Sequence, residues 1–197
     1  MCTQPEMKNR CKVIEKLIKV AKETRRMENF NTTMAIVSGL NLVAVSRLKS
    51  TWEEIDGKRA RQLEDLETLL SPMNNFKIYR AMMEELEQSK TRTRCIPIIS
   101  LFLKDLLFFN DGNPKNTPKG LVSIDKVRSI DKKIVQFLVP QAIPSSLDAS
   151  ATNEDVRHFC QNLRALKEPA LYKYSCLCEP KSGDDVLRLR EKWMTGK

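Results

Sequence analysis

Apolar residues recur at three- and four-residue spacing along most of this 197-residue chain. Between Arg10 and Thr24 they fall on one face of a helix, with lysines on the opposite face. The same spacing predicts helices from Thr32 to Leu40, from Arg59 to Leu70 and from about Asn74 to Leu86. Neither the alternation typical of strands nor an internal repeat occurs in the sequence. The pattern therefore predicts an all-α fold.

Polar residues with short side chains predict where several helices begin. A side-chain oxygen at the N-cap accepts a hydrogen bond from an N–H of the first turn, and Asn31, Thr51 and Asn74 are placed to do so. Thr152 to Asp155 opens a final helix. The side chains expected on its inward face are Val156, Phe159, Leu163 and Leu166.

The most apolar helix is predicted from Pro97 to Phe109, and a second from Leu121 to Leu138. Proline suits a first helical turn, and the run from Asn110 to Pro114 stops the helix. Leu107 and its two phenylalanine neighbours stand near the carboxylate of Asp111, where an ordinary surface loop is polar. We therefore expect an irregular helical bundle with a protruding helical hairpin, whose tip is suited to entering a partner.

The C-terminal region has weaker patterns. Residues 139–151 have little periodicity and predict a long surface connection. The residues after Pro180 form a charged tail that we expect to be mobile, with Val186, Leu187, Leu189 and Trp193 able to dock as a short helix. The predicted organisation is one domain over residues 1–180 and a tail over residues 181–197.

Composition is that of a globular protein, with 41% hydrophobic and 30% charged residues. The net charge of +9 fits a basic face toward an acidic partner, and it fits equally a helical surface covered by solvated lysines. The longest apolar run, Ile96 to Leu103, is too short to span a bilayer. Six cysteines without a secretory signal predict reduced thiols and a cytoplasmic location. Any recruitment to membranes is expected to be peripheral, through a partner.

Covalent chemistry has little support in the sequence. His158 is the one histidine, and together with Cys160, Cys176 and Cys178 it offers four ligands at a spacing unusual for zinc. We interpret these as ordinary thiols. No phosphate-binding glycine loop occurs, and the basic residues 90–94 have no interleaved aromatics for nucleic acid. We predict a binding protein without cofactor, metal or nucleic acid.

Several ordered blocks of sequence resemble the catalytic domain of Ras-family guanine-nucleotide exchange factors. They are Asn29-Phe30-Asn31-Thr32-Thr33-Met34-Ala35-Ile36-Val37-Ser38-Gly39-Leu40-Asn41, Val45-Ser46-Arg47-Leu48-Lys49-Ser50-Thr51-Trp52, Asn75-Phe76-Lys77-Ile78-Tyr79-Arg80, Ile96-Pro97 and Asp111-Gly112-Asn113. The resemblance extends from about Arg10 to Pro180. It is strongest to small exchange factors that consist of little beyond this domain.

This resemblance implies an all-helical protein that opens a Ras-like small GTPase with its hairpin. Leu107 would occupy the place of Mg²⁺, Asp111 would put a carboxylate near the phosphate site, and Asn113 would belong to the same catalytic tip. Met34, Phe76 and Ile98 would line the pocket that grips the GTPase, and Asn41 and Ser46 would contact its surface. From the pattern alone, Met34, Phe76 and Ile98 are more simply core residues.

Two departures from the family pattern set further expectations. The tip carboxylate of the family is commonly Glu, so Asp111 is one methylene shorter. Relatives have helices upstream of the Arg10 segment, so the chain is expected to represent the C-terminal two-thirds of the catalytic domain. The main alternative is a fragment that binds a GTPase or another partner without opening it. A basic helical nucleic-acid binder is a weaker one.

Overall fold

A computed structural model describes residues 1–88, 95–116, 120–142, 153–180 and 190–193, without the side chains of residues 139–142. Within these ranges the chain is helical, with isolated bridges and no strand, which confirms the all-α prediction. The helices are α1 (Met7–Arg26), α2 (Phe30–Leu40), α3 (Val43–Ser46), α4 (Lys49–Glu53), α5 (Gly57–Leu69), α6 (Lys77–Gln88), α7 (Ile99–Gly112), α8 (Ile124–Ala142), α9 (Glu154–Gln161) and α10 (Glu168–Cys178).

The predicted cap of α2 is wrong by two residues. Asn29 Oδ1 accepts a hydrogen bond of 3.0 Å from the Thr32 N–H, because α2 begins earlier than predicted. Asn31 Oδ1 instead accepts from the Ile99 N–H at 3.2 Å. The side chain that resembled a local cap therefore caps the first turn of α7, a partner 68 residues away.

The predicted caps Thr51 and Asn74 are also wrong. Thr51 is buried inside α4, so its hydroxyl serves long-range partners. Asn74, Asn75 and Phe76 have φ angles of 50°, 57° and 59°, and α6 begins only at Lys77. Three consecutive left-handed residues form a turn that asparagine tolerates and phenylalanine does not favour.

Pro97 precedes α7 and does not lie in its first turn. The preceding residue, Ile96, pairs with the entry to α2: its N–H donates to the Glu28 carbonyl at 2.9 Å, and its carbonyl accepts from the Phe30 N–H at 2.9 Å. Because both backbone groups of Ile96 are bonded to this distant segment, Ile96 does not take part in the helix. The helix therefore begins after Ile98, two residues later than predicted.

The second helix of the hairpin is displaced toward the C-terminus. Asn116 and Val122 form an antiparallel bridge, and the Ser123 N–H donates to the Lys115 carbonyl at 3.0 Å. Because these bonds hold residues 121–123 outside the helix, α8 begins at Ile124. It continues to Ala142, so the start of the predicted connection is helical. Residues 143–151 of that connection lie outside the described part of the chain.

The final predicted helix is wrong in its face and its extent. Asn153 caps α9 by accepting from the Val156 N–H at 3.2 Å, so the predicted start is confirmed. The helix ends at Gln161, and the four side chains expected to face inward are 45–63% exposed. The sequence prediction missed α10, which begins with Glu168 and Pro169 and contributes Leu177 and Cys178 to the core.

The chain divides into two compact units. Unit 1 comprises Met1–Glu23, Ala35–Leu69 and Leu147–Lys197, and unit 2 comprises Thr24–Met34 and Leu70–Ser146. In unit 1 the most deeply buried apolar side chains include Ile14, Ile18, Leu40 and Leu48, and in unit 2 they include Phe30, Tyr79, Ile98 and Leu101.

The C-terminal tail is described only in part. Residues 190–193 are helical, and the Trp193 ring centroid lies 6.0 Å from that of Tyr174 in unit 1. This contact supports the expectation that Trp193 docks on the domain. Val186, Leu187, Leu189 and most of the tail lie outside the described residues, so the predicted boundary at residue 180 stays a prediction.

Candidate functional site

The candidate site is built on the hairpin of α7 and α8 in unit 2. The Phe102 and Phe137 rings stack with centroids 4.0 Å apart and an interplanar angle of 16°. Aromatic pairs contribute roughly 0.5–1.5 kcal/mol beyond the burial of the rings. Because Phe102 lies one turn into α7, the contact joins the base of one helix to the other.

The tip of the hairpin is held by polar contacts at the end of α7. Lys126 Nζ donates to the Asn110 carbonyl at 2.6 Å and to the Asn113 carbonyl at 2.8 Å. Asn113 Nδ2 donates to the Phe109 carbonyl at 2.8 Å. The last carbonyls of a helix have no partner within it and carry partial negative charge, so a cation and an amide stabilise them. Asn113, predicted to act at the tip, therefore has a capping role in this structure.

Leu107 and Asp111 lie four residues apart on α7 and share one face of the helix. Leu107 is 61% exposed and Asp111 is also exposed. Leu103, one turn earlier on this face, is 55% exposed. The structure thus brings a large apolar group and a carboxylate together on an open surface at the tip.

Arg80 connects the turn before α6 to α7. Its Nη1 and Nη2 atoms bind the two carboxylate oxygens of Asp105 at 2.6 and 2.7 Å, and Nε donates to the Asn75 carbonyl at 2.8 Å. The hydrogen bonds to Asp105 raise the pKa of the guanidinium further. The pair lines a pocket of about 210 Å³ that also includes Tyr79 and Ile98.

The residues predicted to grip a GTPase differ in their exposure. Ile98 is 2% exposed and its N–H donates to the Tyr79 hydroxyl at 3.0 Å. Met34 in α2 and Phe76 in the left-handed turn are half-buried. Neither of these two is among the described residues that line the pocket containing Ile98. Their action as one gripping surface stays a prediction.

Asn41 lies in unit 1 before α3, Ser46 is the last residue of α3, and both are exposed. Asn41 and the next three residues line an apolar pocket of about 630 Å³, together with Glu168, Pro169, Leu171 and Tyr172 of α10. Arg47 lies over the Tyr172 ring, with Cζ 5.7 Å from its centroid. Because the sequence prediction missed α10, it also missed this pocket beside Asn41.

A polar cluster in unit 1 fixes the segment that carries Ser46. Arg47 donates through Nη1 to the Ser175 carbonyl at 2.8 Å and through Nη2 to the Glu179 carbonyl at 2.9 Å. Glu179 also accepts from the Thr51 N–H at 2.9 Å, at the start of α4. The end of α10 therefore holds α3 and α4 in place.

Three of the cysteines are buried thiols. Burial raises the pKa of the Cys95 thiol to about 12 and raises the pKa of Cys2 and Cys178, so these thiols stay protonated at neutral pH. The part of the chain that the structure describes contains no group of three or more metal-ligating residues. None of its described helices is long and apolar enough to cross a membrane. The cytoplasmic location stays a prediction.

Sequence reasoning missed Arg80, Asp105 and Lys126, although one signal for them was present. Asp105 interrupts the apolar run from Leu101 to Phe109, and a carboxylate in such a helix needs a cation. The identity of that cation depends on the packing of α6 against the hairpin. Spacing along the sequence does not provide it.

Residues 1–128 match the RasGEF domain. The chain is 39% identical over 151 residues to a protein of Caenorhabditis elegans named Rap guanine nucleotide exchange factor, covering 77% of the chain and 10% of that protein. It is 33% identical over 180 residues to human Ras-GEF domain-containing family member 1C, covering 87% of the chain and 37% of the relative. Ras guanine nucleotide exchange factor Y of Dictyostelium discoideum is 32% identical over 177 residues, covering 90% and 11%. The chain thus spans well under half of each of these relatives.

Proposed function

The chain belongs to the family of proteins with a RasGEF domain, and from that premise we propose that it promotes release of GDP from a small GTPase of the Ras or Rap type. The observation that carries the proposal is the pair formed by Leu107 and Asp111, exposed on one face at the end of α7. The names of the relatives support the class of partner, since they include Ras and Rap exchange factors.

In the proposed mechanism the tip of the hairpin enters the nucleotide site of the GTPase. Leu107 takes the place of Mg²⁺, so the phosphates lose the cation that neutralises them. Asp111 brings a negative charge near the negatively charged phosphates and competes for their hydrogen-bond donors. Asn113 and Lys126 keep the end of α7 closed, so that both groups arrive in a fixed orientation.

Release of a tightly bound nucleotide requires a large free-energy change. A nucleotide bound with picomolar affinity has about 16 kcal/mol of binding free energy. An exchange factor offsets much of this by binding the nucleotide-free GTPase more tightly than the loaded form. By reciprocity, nucleotide must weaken binding of the factor by the same ratio, so reloading displaces it. No covalent bond forms or breaks.

Contacts outside the hairpin supply the affinity in this proposal. Asn41 and Ser46 of unit 1 would contact the GTPase surface through exposed polar side chains. Met34, Phe76 and Ile98 of unit 2 would hold an apolar segment of the GTPase. Because Ile98 is buried in the free chain, its part requires the partner to enter beside Tyr79.

The test is release of fluorescently labelled GDP from a panel of Ras, Rap and Ral-type GTPases with the chain added. The expected result is faster release from at least one GTPase, and slower release again with Leu107→Ala or Asp111→Ala. Leu138→Ala is the matched control, because Leu138 is a similarly exposed leucine near the other end of α8.

Two results would contradict the proposal. If neither tip variant differs from the wild type, the hairpin mechanism is wrong. If the chain binds GTPase equally well with and without GDP and never accelerates release, it is a binding protein of this family without exchange activity.

A further inference from the structure

One contact in unit 2 joins the turn that carries Phe76 to the helix that carries Leu107. Three nitrogens of Arg80 are engaged at once, two by the Asp105 carboxylate and one by the Asn75 carbonyl, at 2.6–2.8 Å. A guanidinium is planar and its N–H directions are fixed, so this arrangement sets direction as well as distance. A lysine ammonium in its place would supply charge without that geometry.

Asp105 is well placed to transmit this constraint to the tip. It lies two residues before Leu107 and six before Asp111 on the same helix. At 1.5 Å per residue these groups are about 3 and 9 Å further along the helix axis. A change in tilt at Asp105 therefore moves Asp111 more than it moves Asp105 itself.

We propose that Arg80 is a positioning residue, which fixes the tilt of α7 through Asp105 and so places Leu107 and Asp111 for nucleotide release. The inference rests on the exchange function proposed above. Arg80 does not contact the GTPase in this account. Its effect reaches the tip through the carboxylate, and its bond to Asn75 gives α7 a fixed relation to the turn that bears Phe76.

The partial exposure of the Arg80–Asp105 pair allows an effect on activity to be distinguished from an effect on stability. The Arg80 and Asp105 side chains are 31% and 28% exposed, so water partly screens the pair, and its loss is expected to leave the chain folded despite the bidentate geometry. A tip displaced by about 1 Å, in contrast, is expected to cost up to about a hundredfold in rate. Loss of the pair should therefore lower activity far more than stability.

The experiment uses Arg80→Met, Arg80→Lys and Asp105→Asn in the full chain. Arg157→Met is the matched control, because Arg157 forms an exposed pair with Glu154 at 3.3 Å. GDP release is measured over a range of GTPase concentrations to separate kcat from KM. We expect Arg80→Met and Asp105→Asn to lower kcat by about tenfold to a hundredfold with KM unchanged. Arg80→Lys should stay well below the wild type, since it keeps only the charge.

Three results would overturn the inference: a wild-type kcat for Arg80→Met, full activity for Arg80→Lys, or a rise in KM that accounts for the whole loss. Failure of the proposed function itself is recognised separately, because the wild-type chain would then not accelerate GDP release from any GTPase. In that case amide hydrogen exchange across residues 99–112 tests whether Arg80 constrains α7. Faster exchange in Arg80→Met than in Arg157→Met supports the constraint on α7, and equal exchange overturns it.

Discussion

The Thr51 hydroxyl donates a hydrogen bond of 2.6 Å to Glu179 Oε1, between residues 128 positions apart in the chain. The same hydroxyl accepts from Arg10 Nε at 3.0 Å, and Arg10 Nη2 lies 3.8 Å from the carboxylate. Arg10 is 1% exposed, so its charge is almost removed from water. Glu179 therefore compensates a buried cation from a position beyond residues 1–128, the segment that matches the RasGEF domain.

Replacing Glu179 with alanine should destabilise the chain by about 3 kcal/mol, because removing one partner leaves an uncompensated buried charge. The first-turn N–H of Thr51 would also lose its acceptor. Urea unfolding followed by circular dichroism measures the change. Glu154→Ala is the control, since that glutamate is 75% exposed and should leave the midpoint unchanged. Equal midpoints for the two variants would show that the Arg10 charge is compensated elsewhere.

The length and charge of the tip carboxylate can be tested separately. Asp111→Asn keeps the shape and removes the charge, so GDP release should slow by about tenfold or more, as for loss of an electrostatic group in a tuned site. Asp111→Glu extends the carboxylate by one methylene and should retain at least the wild-type rate. Stopped-flow measurement of labelled GDP release compares them. A fully active Asp111→Asn variant would show that the charge has no part in release.

Lys126→Met should loosen the end of α7, because its ammonium donates to the carbonyls of Asn110 and Asn113. Local opening of the last turn should become easier by about 1 kcal/mol, the size expected for a charged hydrogen bond and a helix-end charge at a partly exposed site. Amide hydrogen exchange near residues 108–113 reports it. Lys132→Met, a change of another exposed lysine in α8, should leave that exchange as in the wild type.

Alkaline pH should destabilise the chain through two buried groups. Burial raises the pKa of the Tyr79 hydroxyl from 10.0 to about 12 and that of the Cys95 thiol from 9.0 to about 12. Between about pH 9 and pH 12 the unfolded chain releases protons that the folded chain keeps. The free energy of unfolding is therefore highest below about pH 9 and falls as the pH rises through this window.

Urea unfolding at a series of pH values measures this slope. Tyr79→Phe removes one ionisation and should flatten it, although it also lowers stability at neutral pH because the Ile98 N–H loses its acceptor. Tyr172→Phe, at a tyrosine that is 40% exposed, should leave the slope unchanged. A slope as steep in Tyr79→Phe as in the wild type would show that this hydroxyl does not contribute.

Helices with one continuous apolar stripe could be predicted from the sequence. The α1 stripe through Ile14 and Ile18 is buried as expected, and the hairpin exists close to its predicted limits. The resemblance to exchange factors could also be predicted from the sequence, since it depends on residue identity within ordered blocks. Local periodicity and local motifs carry enough information for these features.

The errors occur where a residue serves a distant partner. Asn31 has the sequence signature of a cap for α2, yet its amide binds the start of α7. Thr51 has the same signature, and its hydroxyl instead joins Arg10 to Glu179. Pairings over 41 to 128 residues leave no periodic trace in the sequence. The role of Arg80 was missed for the same reason, because its carboxylate partner lies 25 residues further along.

The left-handed turn before α6 places two requirements in opposition at one residue. Phe76 has a φ of 59°, and a bulky side chain in this conformation costs about 1–2 kcal/mol relative to an unstrained residue. Glycine at this position would remove that cost, and with it the ring proposed to hold the GTPase. The strain of the turn and the proposed binding role of the ring therefore fall on the same residue. Position 76 is where the adaptation of this chain to a partner should be visible as tolerated instability.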